Sequence, residues 1–388
     1  MEKIVHVCLC GPMTDGFSYQ ENLLSKYHKQ LGYEVSIITS EWIWDEDGKL
    51  AKAKRNYYVN EHNIPVHRLS IKRNKTIEYK FKKYEGFVEA LEKEAPDILF
   101  VHGCQFLDIR KVKSYVKKHT AVRVFVDNHA DFSNSGTNFL SKNILHKCIW
   151  KSGAKAIEPY VEKFYGVLPA RVDFLVNMYG LSRQKTELLV MGADDELVEK
   201  AEREKAGENI RSKFQIGKED FLIVTGGKID RAKRQTIYLM EAVKNMQYPN
   251  VKLLLFGSVE EELKEQVEEL QDGKRIIFAG WISAEDSYEY FAAADLVCFP
   301  GRHSVFWEQV AGQGIPMVVK YWDGTTHIDV GGNVEFLYKD SAEEIQSVLE
   351  KLLTKGEEYK KMQENAKEKG KQIFSYRQIS KRAIEVDG

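Results

Sequence analysis

The segment FLIVTGGKIDRAKRQTIYLMEAV, residues 221–243, decides the fold class of this chain of 388 residues. It opens with the apolar run FLIVT, passes through Gly226 and Gly227 into a charged turn, and continues as a helical pattern. A short apolar run that ends in glycine and leads into a helix is typical of a βα unit in a parallel sheet. The segment therefore predicts an α/β fold.

The alternation of strand-like and helix-like segments extends from this unit toward both ends of the chain. A helix is predicted at 18–31, with a capping box from Ser18 to Glu21 and a terminating glycine, Gly32. A charged helical stretch, 194–214, separates two series of strands. The predicted strands are 3–9, 34–39, 97–102, 122–126 and 154–157 in the first series and 221–225, 251–256, 275–279, 295–299 and 316–319 in the second. We therefore predict two Rossmann-like, doubly wound domains that face each other across a cleft.

Composition restricts the class of protein further. The chain is 43% hydrophobic and 30% charged, which is typical of a soluble globular protein. Its longest apolar runs have the length of strands and fall far short of the roughly 18 residues that a membrane span needs. The N-terminal segment lacks the charged region of a signal peptide, and the cysteines have no metal-binding spacing. We expect a cytoplasmic protein with free thiols.

Several common enzyme classes find no motif in the sequence. Neither half contains a G-x-G-x-x-G fingerprint or a GxxxxGK[ST] phosphate loop, which argues against ordinary dehydrogenases and kinases. A GxSxG nucleophile elbow and an HExxH zinc helix are absent as well. Two Rossmann-like halves without these motifs still suit a ligand that is held between domains.

Most of the chain resembles the GT-B glycosyltransferases, specifically the retaining family 4. The similarity is strongest over 187–319, where the strand–glycine–helix units and the nucleotide-sugar segment of the family can be followed. The segments that carry it are 11–39, 124–132, 187–198, 221–243, 251–267, 275–319 and 373–386. The resemblance implies an N-terminal acceptor domain (1–190), a C-terminal nucleotide-sugar domain (191–370) and a closing helix (371–388) that returns to the N-terminal domain.

Two lysines after the glycine turn match the family's diphosphate site. Lys228 and Lys233 follow Gly227, where cations can contact phosphate oxygens while the bond to the leaving group breaks. Either lysine alone would be interpreted as an exposed charge in a turn. The resemblance assigns both to phosphate binding and catalysis, with Gly227 as a backbone contact. The family usually has arginine at the Lys228 position.

A second set of donor residues follows the strand at 295–299. Residues 304–313 are predicted to form a short helix with Ser304 as its N-cap and Gly314 after its end. Glu308 matches the family's glutamate that accepts the ribose hydroxyls, and His303, Ser304 and Val305 complete the predicted donor contacts. The family's Glu-x7-Glu motif requires a glutamate where this chain has Pro300. His303 and Ser304 are the nearest polar substitutes.

The N-terminal half contributes two candidate residues. His129, in DNHAD, matches the family's sugar-contacting histidine, and Asp127 or Asp131 could orient its imidazole or contact the acceptor. Gly16 matches a glycine that lets the backbone approach the diphosphate. His327, in DGTTHID, is a weaker candidate near the cleft. The remaining histidines belong to no motif, and we expect no catalytic role for them.

Charge is divided unevenly along the chain. Residues 1–186 have a net charge of +8 and the remainder −9, and the basic excess lies in the runs 71–83 and 110–119. Such runs are ordinarily solvated helix faces, but they also suit an anionic membrane surface or acceptor. We expect no nucleic-acid partner, because no binding motif accompanies the charge.

The resemblance implies a retaining glycosyltransferase that is metal-independent and has no cofactor. It would transfer a hexose-type sugar from a nucleotide sugar, taken here as a UDP-sugar, to a glycan, lipid-linked or other acceptor. Bacterial cell-surface polysaccharide or glycoconjugate synthesis is the expected setting, in the cytoplasm or at the inner face of the membrane. Two alternatives stay open: a GT-B-like sugar-nucleotide epimerase, and a non-catalytic GT-B-like partner subunit, which the missing first glutamate motivates.

Overall fold

The chain forms two compact units. The structure, a computed structural model, describes residues 1–45, 48–71, 81–135, 139, 141–354 and 356–385. The first unit contains Met1–Val190 together with Ile379–Gly388, and the second contains Met191–Gln378. The domain ranges given above stay a prediction.

The first unit is built on a mostly parallel sheet. Its strands are β1 (Lys3–Cys8), β2 (Glu34–Ser40), β3 (Trp42–Trp44), β4 (Leu50–Lys52), β5 (Tyr57–Val59), β6 (Pro65–Leu69), β7 (Ile98–His102), β8 (Arg123–Asn128), β9 (Lys163–Gly166) and β10 (Thr186–Leu188). Eight of them form one sheet in the order β10-β9-β8-β7-β1-β2-β6-β5, in which only β5 and β6 are antiparallel. β3 and β4 form a separate antiparallel pair. The strand order reverses between β1 and β7, which is the switch point of this sheet.

Helices cover the sheet of the first unit. They are Gln20–Gln30, Phe87–Glu94, Ile109–Lys118, Lys151–Ile157 and Pro169–Asn177, with a π-helix at Ser141–Trp150 and 3₁₀ turns at Glu158–Tyr160 and Arg183–Lys185. In the helix Ile109–Lys118 the residues Ile109, Val112, Tyr115 and Val116 are buried. This spacing gives one apolar face that packs on the sheet and leaves the basic residues on the other face.

The second unit is also built on a parallel sheet. Its strands are β11 (Phe221–Gly226), β12 (Val251–Phe256), β13 (Ile276–Phe278), β14 (Leu296–Phe299), β15 (Met317–Lys320) and β16 (Val334–Leu337). They lie in the order β13-β12-β11-β14-β15-β16, all parallel. This is the 3-2-1-4-5-6 order of a doubly wound sheet, and its switch point lies between β11 and β14. The two units confirm the predicted α/β class with parallel, doubly wound sheets, and their facing each other across a cleft stays a prediction.

Helices also connect the strands of the second unit. They are Asp195–Arg203, Ala206–Lys213, Gln235–Asn245, Lys264–Leu270, Ser287–Ala292, Phe306–Gly312, Ala342–Thr354, Gly356–Asn365 and Lys371–Ile373. The 3₁₀ turns Arg231–Lys233, Glu261–Leu263 and Thr326–Ile328 and the π-helix Ala366–Gly370 complete the set. The last helix, Tyr376–Arg382, contains the position at which the chain passes to the first unit.

One local prediction is wrong. Residues 154–157 are not a strand but the end of the helix Lys151–Ile157, because Ala154 and Ile157 are buried at a helical spacing of three. The charged stretch 194–214 is helical, as predicted, and it forms two helices because Lys205 adopts a left-handed φ of 51° between them. Strand β16, which the sequence did not predict, lies at one edge of the second sheet.

Both predicted N-caps are also wrong. The first helix has Tyr19 rather than Ser18 as its N-cap, and no side chain caps it. The helix Phe306–Gly312 has Val305 rather than Ser304 at this position, again without a side-chain cap bond. Gly314, predicted to follow the end of that helix, has a φ of 73° and fulfils this role.

Part of the basic excess lies outside the described residues. In the run 71–83, residues 72–80 lie outside the described part, and Lys82 and Lys83 are the basic residues that the structure describes. Of the second run, Arg110, Lys117 and Lys118 are exposed on the helix Ile109–Lys118. Within the described part of the chain, every helix is too short or too polar to cross a membrane.

Candidate functional site

A cleft opens in the second unit at the carboxyl ends of β11 and β14. One wall consists of residues 225–229, which follow from β11, and the other of residues 299–302 and Ser304, which follow from β14. Lys233, Thr236, Leu255 and Phe256 complete the lining. The cleft therefore lies at the switch point of the sheet, where doubly wound folds bind their ligands.

Gly226 and Gly227 line this cleft, and each position requires glycine for a different reason. A side chain at Gly226 would have its Cβ 2.2 Å from the ring of Phe256, so close packing excludes one there. Gly227 has a φ of 121°, a conformation that residues with a Cβ rarely adopt. Backbone groups are thereby exposed to the cleft beside the lysines.

Lys233 is a half-buried cation without a partner in the part of the chain that the structure describes. It ends the 3₁₀ turn Arg231–Lys233, which Asp230 caps by accepting hydrogen bonds from two backbone N–H groups. Among the described residues its ammonium group makes no hydrogen bond and no salt bridge. Burial lowers the pKa of Lys233, Arg302 acts in the same direction, and Asp230 opposes them. An anion in the cleft would relieve this cost, so the geometry suits a phosphate group.

Lys228 lies in the same lining but is already paired. Its Nζ is 2.8 Å from Oε1 of Glu260 and 3.7 Å from Oδ2 of Asp230, and its side chain is 53% exposed. The Glu260 contact raises the pKa of Lys228. A phosphate would have to displace a surface ion pair to reach this lysine, and such pairs are weak. The two lysines predicted together are thus not equivalent.

Arg302 is a third cation in the cleft, and it was not among the predicted site residues. It is exposed at the start of the loop after β14 and lines the same cleft as Lys228. The signal available in the sequence was an arginine two residues after Pro300, in a loop already assigned to the donor. The predicted contacts Ser304 and Val305 follow it: Ser304 lines the cleft, and Val305 is 49% exposed.

Glu308 lies fully buried on the helix Phe306–Gly312. Nε2–H of His303 and Nε2–H of His327 both donate to its Oε1, at 2.8 and 2.9 Å. Its Oε2 is buried and has no hydrogen-bond partner among the described residues. An unpaired buried carboxylate oxygen is costly, so Oε2 retains the capacity to accept a hydrogen bond. Glu308 and His303 are not among the residues that line the cleft described above.

The two histidines determine the charge of this carboxylate. Burial opposes ionisation, but His303 and His327 outweigh it and hold the pKa of Glu308 well below its usual range. The three side chains each offer one ligand atom within 4.8 Å of the others and could be read as a metal cluster. A metal-bound histidine almost always donates its second ring N–H, but Nδ1 of His327 has no partner in the described chain. The arrangement fits a hydrogen-bonded triad better, and metal independence stays a prediction.

In the first unit, Gly16 presents its backbone N–H to an anion. It has a φ of 75°, and the N–H donates to Oε1 of Glu61 at 2.7 Å. The predicted contact between this N–H and a diphosphate would therefore require Glu61 to move away.

His129 follows β8 and is held by the buried Asp127. Its Nε2 is 3.4 Å from Oδ2 of Asp127, and its side chain is 38% exposed. Burial lowers the pKa of His129, but the Asp127 carboxylate outweighs burial and raises it. Asp131, the other predicted orienting residue, instead accepts from the backbone N–H groups of Ser133 and Asn134 and pairs with Arg171. Asp127 alone therefore orients the imidazole.

Each unit thus groups its own part of the predicted site. The second unit brings Gly227, Lys228, Lys233 and Ser304 to one cleft, and joins His303 to Glu308 by a hydrogen bond. His327 belongs to the same triad, although it was only a weak candidate from the sequence. Gly16 and His129 lie in the first unit.

The second unit also matches a known family. Residues 206–369 match the model of the family Glycosyl transferases group 1. This segment contains the cleft and the Glu308 triad described above. The match confirms the predicted enzyme class, a glycosyltransferase. No curated protein sequence matches the chain.

Solved structures extend the similarity to the whole chain. A glycosyltransferase from Rickettsia africae ESF-5 has a TM-score of 0.69 and 16% sequence identity, over 99% of this chain and 97% of that one. Anabaena HepE in complex with UDP has a TM-score of 0.67 and 16% identity, over 98% of both chains, and the same protein has been solved with UDP-glucose. WaaG, a glycosyltransferase involved in lipopolysaccharide biosynthesis, has a TM-score of 0.64 and 15% identity, over 99% of this chain and 100% of that one. At these identities the likeness shows a shared fold.

Proposed function

We propose that the protein is a retaining glycosyltransferase of family 4 that uses a UDP-sugar donor. The observation that carries the proposal is the half-buried ammonium group of Lys233, which has no partner among the described residues and lies in the cleft at the switch point of the second unit. The same unit holds the ionised Glu308, whose Oε2 lacks a donor. A cation for phosphate and a buried acceptor for hydroxyls correspond to the diphosphate and the ribose of one nucleotide.

The cations of the cleft would act on the leaving group. When the bond between sugar and diphosphate breaks, negative charge develops on the phosphate oxygens. Lys233 is placed to receive this charge without losing another partner, and Arg302 and Lys228 add positive charge around the same cleft. This stabilisation can proceed without a metal ion, because the protein itself supplies the cations.

Glu308 would select and orient the nucleoside. A carboxylate oxygen that is ionised and unpaired accepts hydrogen bonds from the two ribose hydroxyls, and His303 and His327 hold it in position. The choice of uridine as the base rests on the fold shared with HepE, whose structures contain UDP and UDP-glucose. The hexose-type sugar is proposed on the same ground.

His129 would contact the sugar, and retention would follow from attack on the face that the diphosphate leaves. The leaving diphosphate oxygen would take the proton of the acceptor hydroxyl. Pro300 occupies the position of the family's first glutamate, so the donor sugar loses one carboxylate contact. This departure is the reason to test activity and binding separately.

Calorimetric titration with UDP, UMP and uridine tests the donor site. The proposal requires binding to weaken in that order, because the diphosphate and the ribose each contribute. Absence of UDP binding at millimolar concentration would contradict the proposal and favour a non-catalytic partner subunit.

Product analysis tests the reaction itself. Incubation with UDP-glucose and candidate glycan or lipid-linked acceptors should give an α-linked product, as retention of the donor configuration requires, and its anomeric proton can be identified by NMR. A new sugar nucleotide formed from the donor alone would identify an epimerase instead. A β-linked product would contradict retention.

We also propose an acceptor at an anionic membrane surface, as in the synthesis of bacterial cell-surface polysaccharide. The support is the net charge of +8 over residues 1–186 and the exposed basic face of the helix Ile109–Lys118. Each lysine or arginine near such a surface contributes on the order of 1 kcal/mol, so a few together give reversible binding.

A further inference from the structure

A chain of buried histidines crosses the core of the first unit. His6 lies on β1, His102 ends β7, and His28 lies on the helix Gln20–Gln30; His6 and His28 are fully buried and His102 is 6% exposed. No motif in the sequence predicts a role for these residues. Short contacts join their rings end to end in a series that leads to Asp127.

The contacts form one continuous series. Nε2 of His28 is 2.8 Å from the carbonyl oxygen of Ser380, and Nδ1 of His28 is 3.0 Å from Nε2 of His6. Nδ1 of His6 is 2.9 Å from Nε2 of His102, and Nδ1 of His102 is 2.8 Å from Oδ2 of Asp127. All four distances are hydrogen-bond distances, so each contact needs one proton between its two atoms.

Counting protons shows what the series requires. A carbonyl oxygen and an ionised carboxylate only accept hydrogen bonds, so both ends of the series are acceptors. Three neutral imidazoles supply one N–H each, which is one proton fewer than the four contacts need. Without a fourth proton, two lone pairs would face each other in a buried site, which is costly. The series therefore holds one proton more than three neutral histidines.

The position of this proton follows from its neighbours. Burial, together with the charges of the other histidines, lowers the pKa of His6, and burial lowers that of His28 to about 4, so both are neutral. Although burial opposes it, His102 and His129 keep the pKa of Asp127 well below its usual range, so Asp127 is ionised. The proton then resides on His102, next to the carboxylate. The resulting order fixes Nε2–H as the tautomer of both His6 and His28.

The extra proton affects the protonation state of His129, because His129 and His102 contact the same carboxylate oxygen. Oδ2 of Asp127 is 2.8 Å from His102 and 3.4 Å from His129. A protonated His102 compensates the charge of Asp127, so His129 can remain neutral with Nε2–H directed at Asp127. The other charged groups that act on His129 are Glu21 and Arg171, which oppose each other. The state of His129 therefore depends on histidines that it does not contact.

We propose that His28, His6 and His102 are positioning residues that store one proton beside Asp127 and thereby keep His129 neutral, with its Nδ1 available to accept a hydroxyl group of a sugar. The role of His129 toward a sugar rests on the proposed function. The stored proton itself depends only on the first unit and is present without any substrate.

Removal of His28 separates the stored proton from mere packing. In His28→Phe, two neutral imidazoles supply two protons for the two contacts that remain: His6 donates to His102, and His102 donates to Asp127. The extra proton is then no longer needed and leaves to solvent. Asp127 is left without its cation, so His129 binds a proton more tightly and titrates at higher pH.

NMR of the full chain labelled with ¹⁵N-histidine measures both effects. At about pH 8, where an ordinary histidine is neutral, the wild type should show His102 with both ring nitrogens protonated and His6 and His28 fixed as the Nε2–H tautomer. In His28→Phe the doubly protonated signal should disappear, and the titration of His129 should move to higher pH. A wild type with three neutral buried imidazoles at this pH would overturn the proposal, whether or not the variant folds.

Phe100→Leu is the matched control. The ring of Phe100 packs against the rings of His6, His28 and His102 and makes no polar contact with them. This variant loosens the same core but keeps all four hydrogen bonds, so its doubly protonated signal and its His129 titration should match the wild type. An equal shift of His129 in both variants would assign the effect to packing and refute the stored proton.

A pH profile of kcat/KM tests whether the stored proton affects activity. Since a neutral His129 is required, the acid limb of the profile should move to higher pH in His28→Phe and stay in place in Phe100→Leu. A protein that transfers no sugar would show the NMR signals all the same, so failure of the proposed function and failure of the stored proton are distinguishable. An unchanged acid limb in an active His28→Phe enzyme would remove the positioning role.

Discussion

Replacement of Lys233 by methionine gives the most direct test of the phosphate site. Lys233→Met keeps the length and most of the apolar stem of the side chain and removes only the charge. In the structure this charge is half buried and has no hydrogen bond or salt bridge with the described residues. The variant should therefore fold with an unchanged or slightly higher melting temperature, because no native pair is lost.

The expected loss of UDP affinity follows from the same surroundings. A hydrogen bond to a charged group contributes about 1.5–3 kcal/mol, which corresponds to a loss of roughly 10- to 150-fold in affinity. Lys228→Met should lose less, below about 5-fold, because Lys228 is exposed and must first leave Glu260. The order of the two effects is thus set by burial and pairing rather than by distance along the chain.

Isothermal titration of UDP into each variant measures these losses, and a thermal melt of each variant checks the fold. Arg231→Met is the matched control: Arg231 lies in the same 3₁₀ turn, but its side chain is 83% exposed and pairs with Glu262. Its UDP affinity should equal that of the wild type. The reasoning is refuted if Lys233→Met binds UDP as tightly as the wild type, or if Arg231→Met loses as much.

Three further predictions follow from other parts of the molecule. Glu308→Gln should weaken UDP binding. The folded-state pKa of Glu308 lies below its ordinary value of 4.5, so its ionised form stabilises the fold. The difference in unfolding free energy between wild type and variant, measured with denaturant, should therefore be full above pH 4.5 and shrink as the pH falls below it. Gly227→Ala should cost about 1–3 kcal/mol of unfolding free energy, since its φ of 121° strains a residue with a Cβ, whereas Gly356→Ala, in open space without a positive φ, should cost nothing. The protein should co-sediment with anionic vesicles at low salt and not at high salt, and equal recovery in the supernatant with neutral and anionic vesicles would contradict the membrane proposal.

The parts that the sequence predicted well are those that local pattern determines. Strand β11 and its glycine turn could be recognised because an apolar run, two glycines and a helix occur in direct succession. The same applies to the neighbouring strands, whose alternation with helices leaves few possible topologies. Lys233 and Glu308 were predicted as site residues from the family resemblance. Helix and strand propensities alone could not have assigned them to a site.

The parts that it missed depend on contacts between distant segments. His327 joins Glu308 from 19 residues away, and no local pattern distinguishes it from an ordinary loop histidine. The prediction that Ser304 caps its helix is wrong because the helix begins one residue later, after Val305. The residue that caps a helix depends on the path of the incoming chain. The pairing of Lys228 with Glu260 likewise brings together two turns that follow neighbouring strands.

The histidine series left a signal in the sequence that could have been used. His6 lies inside the apolar run of β1 (KIVHVC), and His102 is the last residue of the apolar strand β7 (ILFVH). β1 and β7 pair in parallel with His6 opposite Phe100, so His102, two residues further on, shares a face with His6. A polar residue on each of two central strands implies a buried partner. The third member, His28, required the packing of the helix to be known.

The hydrogen bond between His28 and Ser380 joins residues that are 352 positions apart, and this separation has a consequence for biosynthesis. Ile379 and Ala383 are fully buried in the first unit, which therefore lacks part of its core until residues 379–384 leave the ribosome. At about 5–20 residues per second, the ribosome needs roughly 10 to 40 s to pass through the second unit. For that interval the nascent first unit exposes an apolar seam and an unpaired His28 N–H, while residues 191–378 emerge and can fold. The half of the protein that is translated first is thus the half that matures last.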